Sequence, residues 1–255
     1  LDLSQLEHLI TSKTKLVSVS MISNALGTIN DIETIIKQAK KQNALVAIDA
    51  AQAVLHLPID VQKLGVDFLC FSGHKMLGPT GVGILYGKEK ILNELPPYQT
   101  GGEMILKVTL EESTFNELPF KFEAGTPAIA EVIALGEAVK YINGIGLSSI
   151  AEREEILLKK ITSELKKIPS LKIIGDNTSK TSIASFIIDK IHPHDVGTFM
   201  DRQGMAIRTG HHCAAPIMQY FNVPATSRAS LSFYNTEEEI DSFILALKKT
   251  VEFFA

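Results

Sequence analysis

Short apolar runs alternate with helix-periodic segments through the first two-thirds of the chain, and this succession constrains the fold more than any other feature. Runs at 16–21, 45–48, 68–71 and 82–86 read as strands, nearly continuous in apolar residues as doubly covered strands are. A short helix is expected at 4–10. A longer one is expected from Asp31, its cap, to about residue 42, with Ile32, Ile35, Ile36 and Ala39 on one face. Strand–helix–strand order of this kind predicts an α/β fold with a mainly parallel sheet covered on both faces.

Past residue 94 the pattern changes. Residues 95–120 carry Pro96-Pro97, Gly101-Gly102 and Pro119 and read as a long irregular connection, a kind more often functional than idle. Helices are expected at 128–142, 148–168, 194–203 and 237–254, the last capped by Thr236. Strands are expected at 171–174 and 183–188 and near 206–208 and 229–233. That order suggests a smaller α+β unit, with the boundary near residue 145 at Gly144-Ile145-Gly146, giving 1–145 and 146–255.

Composition excludes several classes. Lys and Arg number 25 against 29 Asp and Glu, so the net charge is −4, and the charges are dispersed; an electrostatic nucleic-acid binder is not expected. No apolar run is long enough to span a bilayer, so no membrane association is expected. Two cysteines cannot build a disulfide framework and suggest a reducing, cytoplasmic setting. The chain opens Leu1-Asp2-Leu3, without an initiator Met or a leader, and reads as entered partway through.

In open α/β sheets ligands bind beyond the carboxyl ends of the strands. Three loops there hold polar groups: Ser23-Asn24-Ala25-Leu26-Gly27-Thr28, Asp49-Ala50-Ala51-Gln52, and Ser72-Gly73-His74-Lys75 followed by Gly78-Pro79-Thr80-Gly81. Singly, Asp49 is a helix cap, Asn24 a turn former, Lys75 a solvated lysine and His74 a structural histidine. Together, a lysine in a partly dry pocket can act as an amine nucleophile and an acid opposite it can pair with a protonated pyridine nitrogen. Ser72 and His74 could donate to a phosphate. Thr126, in Phe122-Glu123-Ala124-Gly125-Thr126-Pro127, is either a helix cap or a phosphate ligand.

A second constellation is Arg208-Thr209-Gly210-His211-His212-Cys213-Ala214-Ala215-Pro216. Two histidines beside a thiol favour its ionisation. A metal site or a structural cysteine compete with that reading, but the spacing is not that of zinc ligands and no second cluster completes a set, so no metal is expected. Arg228 opens a strand and is either a carboxylate clamp or half of a surface ion pair. Cys70, between Leu69 and Phe71, reads as core.

These five motifs, in this order along essentially the whole chain, resemble class V pyridoxal-phosphate enzymes, and more narrowly the Suf-type (group II) cysteine desulfurases, which include selenocysteine-lyase-like proteins. The resemblance implies a fold-type I pyridoxal 5'-phosphate (PLP)-dependent transferase: 1–145 as the C-terminal part of the large PLP-binding domain, 146–255 as the small domain with the cysteine loop. It implies that Lys75 forms the Schiff base and shuttles the Cα proton, Asp49 keeps the pyridine nitrogen protonated, and Gln52 bonds the cofactor's phenolic oxygen. Ser72, His74 and, from the partner of a homodimer, Thr126 would bind the phosphate. Asn24, also near the cofactor, would hold the substrate carboxylate with Arg228, and Arg208 is a further substrate-binding candidate. Cys213 would take the sulfur of L-cysteine as a persulfide, releasing alanine, and pass it to an acceptor protein of the SufE/SufU type for iron–sulfur cluster assembly. Selenocysteine lyase or a related β-eliminating activity, and an inactive fragment kept for dimerisation or partner binding, are the alternatives. Ala215 stands where Met is common in the family. The family's N-terminal segment, with its ring-stacking histidine and phosphate loop, is expected to be missing, and nothing in residues 1–23 replaces it.

Overall fold

A computed structural model describes residues 1–176 and 179–254. The chain forms two compact units: Leu1–Met21 with Asp31–Gly144, and Ile22–Asn30 with the chain from Ile145 onward.

The first unit contains, in order, α1 (Leu6–Leu9), β1 (Leu16–Ser20), α2 (Ile32–Lys41), β2 (Leu45–Asp49), α3 (Val61–Leu64), β3 (Phe68–Ser72), β4 (Gly83–Gly87), α4 (Glu89–Glu94), β5 (Ile105–Val108), β6 (Ser113–Phe115) and α5 (Ile129–Ile145). Strands β1 to β3 pair in parallel, and β4 adds an antiparallel edge. Asp31 caps α2, its Oδ1 accepting from the Thr34 N–H at 3.0 Å. The helix buries Ile32, Ile35, Ile36 and Ala39, and it packs against β1 and β2. Just ahead of β3, the buried Asp67 carboxylate accepts from the Val46 N–H at 2.8 Å and pairs with Lys88 Nζ at 2.7 Å, stapling three segments. Removing one partner of such a pair costs more than the pair itself contributes, because the other charge is left buried.

Several expectations are corrected. Among the described residues, one face of the sheet is covered and the other is exposed. Register places Ser20, Asp49, Cys70 and Leu85 side by side in one row. Side chains alternate, so Val46, Ile48 and Leu69 are buried on one face, whereas Leu16, Cys70 and Leu85 are exposed on the other. Cys70 is therefore not core; its apolar neighbours in sequence point to the opposite face. The 95–120 connection contains the β5–β6 hairpin, closed by Thr109 N–H to Glu112 O at 2.8 Å. The helix expected at 4–10 is a single turn.

The second unit contains α6 (Leu147–Leu165), β7 (Leu171–Ile174), β8 (Ile183–Ile188), α7 (Pro193–Asp201), β9 (Arg208–Gly210), α8 (Ala215–Tyr220), β10 (Thr226–Ser230) and α9 (Glu237–Phe254). Its antiparallel sheet has the order β7-β8-β10-β9. One face carries the core, with Leu157, Ile161, Leu165, Phe186, Met200, Ile240 and Leu247 all but fully buried. Against Ile174, on the other face, pack Ala25 and Leu26 of the 22–30 segment, joined by Ile187, Ala214 and Ile217. That segment is pinned by Ser185 Oγ donating to Ala25 O and by Thr181 N–H to Gly27 O at 2.9 Å. Gly27 is at φ +75°, where an added Cβ would stand 2.9 Å from Ile183 Cβ, so only glycine fits. The last strand is Thr226–Ser230 rather than 229–233, which puts Arg228 mid-strand instead of at its start.

Candidate active site

In the first unit, Asp49 ends β2 and Ser72 ends β3, and the pairing of Asp49 with Cys70 brings both ends to one edge. Ser72 lies two residues beyond Cys70, about 7 Å along the strand. Asp49 caps no helix: its Oδ1 accepts from the Ala51 N–H at 2.9 Å in a local turn that carries Gln52, and its Oδ2 meets the Ser20 hydroxyl at 3.5 Å. His74 and Lys75 are exposed in a 3₁₀ turn, Gly73–Met76, directly after β3. That turn folds back tightly, with Gly78 N–H to Gly73 O at 3.0 Å and Gly73 N–H to Val82 O at 2.9 Å. A Cβ at Gly78 would lie 2.8 Å from Gly73 O, so the close return that presents Lys75 needs glycine there. Thr126 lies exposed, and α5 begins three residues further on at Ile129, so Thr126 is not its cap. Its neighbour Gly125 donates to Gly102 O at 2.9 Å, which ties Thr126 to the glycine pair rather than to the Lys75 loop.

The second unit gathers Asn24, Arg208, His212, Cys213 and Arg228 into one network. Arg208 and Arg228 are paired on adjacent strands, so two guanidinium groups share one face. Arg228 Nη1 donates to Asn24 O at 2.6 Å, Asn24 Nδ2 donates to His212 O at 2.7 Å, and Arg208 Nη2 points at Cys213 Sγ, 3.9 Å away. Arg228 is thus no half of a surface ion pair. Burial, with Arg208 beside it, lowers its pKa from the ordinary value, and its buried Nε–H has no partner in the structure.

His212 is the residue the sequence reading misjudged. It is 2% exposed, and its Nε2 lies 3.1 Å from Thr226 O and 2.9 Å from Thr226 Oγ. Burial, then the Arg228 charge, push its pKa down to about 4, so it is neutral near pH 7 and cannot supply positive charge to the thiol. His211 is exposed. His212 and Cys213 adopt φ of 54° and 57°, and Ala214 N–H closes back on His211 O at 2.9 Å. Both central residues of this turn are left-handed, the type I′ geometry that glycine and asparagine favour, at a cost of about 1 kcal/mol or more per residue. A signal for the buried histidine was present in the polar Thr226-Ser227 opening of β10, which offers it partners.

Among the described residues no group of three or more His, Cys, Asp or Glu could hold a metal ion, and no helix is long and apolar enough to cross a membrane. A cavity of about 420 Å³ beside α9, lined by Ile161, Met205, Ile207, Leu231 and Phe243, includes none of the site residues.

A largely parallel sheet with an acid and a lysine at its carboxyl edge, joined in one chain to an antiparallel unit bearing paired arginines and a strained cysteine, defines an α/β protein of the fold-type I kind. The chain belongs to the aminotransferase class-V family, whose model matches residues 1–243. It is 47% identical to a Streptomyces coelicolor protein named "Probable cysteine desulfurase" over 100% of this chain and 61% of that protein, and 46% identical to an Escherichia coli "Cysteine desulfurase" over 98% and 61%. Among solved structures, it resembles the cysteine desulfurase CsdA of Escherichia coli in its S-sulfonic acid form, with a TM-score of 0.95 at 33% identity, covering 99% of this chain and 63% of that one. It also resembles apo cysteine desulfurase from Thermococcus onnurineus, with a TM-score of 0.94 at 39% identity and the same coverage. The chain spans about 61% of the length of the curated relatives it matches.

Proposed function

We propose that this chain is the greater part of a PLP-dependent cysteine desulfurase of the Suf-type (group II), which converts L-cysteine to alanine and carries the sulfur as a persulfide on Cys213. The observation that carries this reading is the contact chain Arg228–Asn24–His212, ending at Cys213 with Arg208 aimed at its sulfur. Residues 1–21 with 31–144 form the C-terminal part of the large PLP-binding domain. Residues 22–30 with 145–255 form the small domain.

The residues of the first unit fit the cofactor. Lys75 would hold it through its amine, Asp49 would pair with a protonated ring nitrogen, Gln52 would donate an amide N–H to the phenolic oxygen, and Ser72, His74 and Thr126 would donate to a phosphate. Bound PLP supplies an electron sink at the substrate α-carbon. Lys75 Nζ takes the proton from the substrate's Cα and later returns it there, while the proton that the Cys213 thiol loses balances the one that Cβ gains. Arg228, whose buried Nε–H lacks an acceptor, grips the substrate carboxylate with Asn24. Cys213 Sγ, as thiolate, bonds to the substrate sulfur as the Cβ–S bond breaks; the released electron pair takes a proton at Cβ, giving alanine, and Cys213 keeps the persulfide. Arg208 stands where negative charge on sulfur is favoured.

Exposed Val132, Ile133 and Tyr141 on α5 support a homodimer. Two unpaired cysteines support a cytoplasmic setting. The exposure of Cys213 supports delivery to a SufE/SufU-type acceptor for iron–sulfur cluster assembly.

The test is alanine release from L-cysteine with a thiol reductant by the PLP-loaded protein. Cys213→Ser should lower turnover roughly 100-fold or more while keeping the absorbance of bound PLP, and Lys75→Ala should lose that absorbance. Equal turnover by wild type and Cys213→Ser refutes the role of Cys213. The ratio of kcat/KM for selenocysteine over cysteine separates the desulfurase from a selenocysteine lyase.

A further inference from the structure

Sulfur chemistry requires a cysteine at position 213, while the turn there calls for glycine. His212 and Cys213 are both left-handed, and although histidine is among the non-glycine residues enriched there, cysteine does not adopt this conformation readily. Something must hold the turn closed, and the groups that converge on it do so through His212.

The histidine ring is buried against β10. Only an N–H can donate to the Thr226 carbonyl, so Nε2 carries the proton, and Nδ1 is left as a buried acceptor without a partner. The groups around it are Arg228, Arg208 and His211, each of which disfavours a charged ring, while only the Thr226 carbonyl favours one. The imidazole therefore has neither the charge nor the free proton to act on the thiol. Its own carbonyl accepts from Asn24 Nδ2, which ties the turn to the 22–30 segment, and Asn24 is tied in turn to Arg228. One residue thus fastens the cysteine turn at two points, ring and backbone.

We propose that His212 is a positioning residue that holds Cys213 in its left-handed, reactive placement by anchoring the turn to Thr226 and Asn24, and that it takes no part in ionising the thiol. The proposal rests on the desulfurase reading for its kinetic consequence but not for its structural one.

The experiment compares PLP-loaded wild type, His212→Leu and His212→Gln, the glutamine amide N–H standing in for Nε2–H. His212→Leu is expected to lower kcat roughly tenfold or more, with KM for L-cysteine within about twofold and the PLP absorbance kept, since small displacements of a reacting group are costly. His212→Gln is expected to recover most of kcat. Amide exchange in a peptide covering 208–214 should rise roughly tenfold in His212→Leu and little in His212→Gln. The pH midpoint for alkylation of Cys213 by iodoacetamide should be the same in wild type and His212→Gln. Thr226→Val, which removes one anchor and keeps His212, should lower kcat by about threefold and decides the matter if His212→Leu does not fold. An unchanged kcat and exchange rate in His212→Leu, or in Thr226→Val where that variant stands in, overturns the proposal, as does an alkylation midpoint that moves in His212→Gln. If wild type releases no alanine, the desulfurase reading fails and the exchange comparison alone decides the latch.

Discussion

The guanidinium groups of Arg208 and Arg228 occupy paired positions on β9 and β10, where like charges repel. That arrangement persists because Arg228 is held by Asn24 O and Arg208 is directed at the Cys213 sulfur, and it makes this face receptive to anions. Burial, helped by these same charges, keeps His212 neutral, which has a consequence for stability. Its pKa is about 4 in the folded chain against an ordinary value of 6.5, so as pH falls the unfolded chain binds the proton first. The stability held by the neutral ring is complete above pH 6.5 and drains away between 6.5 and about 4, at up to about 1.4 kcal/mol per pH unit. Urea midpoints measured between pH 7 and 5 should therefore fall for wild type, and His212→Gln should flatten that slope. Sequence showed the types of these residues but not the neutrality of His212, because burial against β10 is a long-range outcome. Cys70 teaches the same lesson from the other side. It looked apolar by its neighbours, yet alternation along β3 sets it on the exposed row beside Asp49. There partial burial of its sulfur and the nearby carboxylate raise its thiol pKa from the ordinary value.

Elements with strong local signals were legible. The Asp31 cap and the apolar face of α2 follow from local spacing, and so does the last helix. Thr236 Oγ accepts from the Glu239 N–H at 3.2 Å, and the Glu239 carboxylate accepts from the Thr236 N–H at 3.0 Å, a reciprocal capping box. Three acids in the first turn of α9 add to it by facing the positive end of the helix. Thr236→Ala should cost about 1 kcal/mol in a denaturation experiment, and combining it with Glu239→Ala should cost less than the two separate losses together, because each side chain serves the other's residue. Elements without such signals were missed. The β5–β6 hairpin has strands of four and three residues, largely exposed, so its pattern could not outweigh the surrounding Pro and Gly. Strand β10 begins at polar Thr226 and Ser227, both buried in the structure, and a reading by hydropathy starts it too late.

At the scale of the molecule, the two units divide at Gly144–Ile145 and also by the detour of Ile22–Asn30 into the second unit, which no local pattern in the sequence marks. Nothing in that short loop announces a partner more than 150 residues away, as Ser185 is from Ala25. Phe186, fully buried on β8, lies at the centre of the second unit's core. Phe186→Ala should cost about 3–5 kcal/mol. Hydrogen exchange should then show residues 22–30 losing protection along with β7, β8 and β10, although both chain neighbours of that segment belong to the other unit. The detour also bears on how the protein is made. Ile22–Asn30 leaves the ribosome before its partners, since Ser185, His212 and Arg228 follow by 160, 188 and 204 residues from Ala25 or Asn24. Closing such long loops is slow, so the arginine–asparagine–histidine network should be among the last parts to form during synthesis, and the nascent chain should hold a finished lysine edge before its cysteine turn is set.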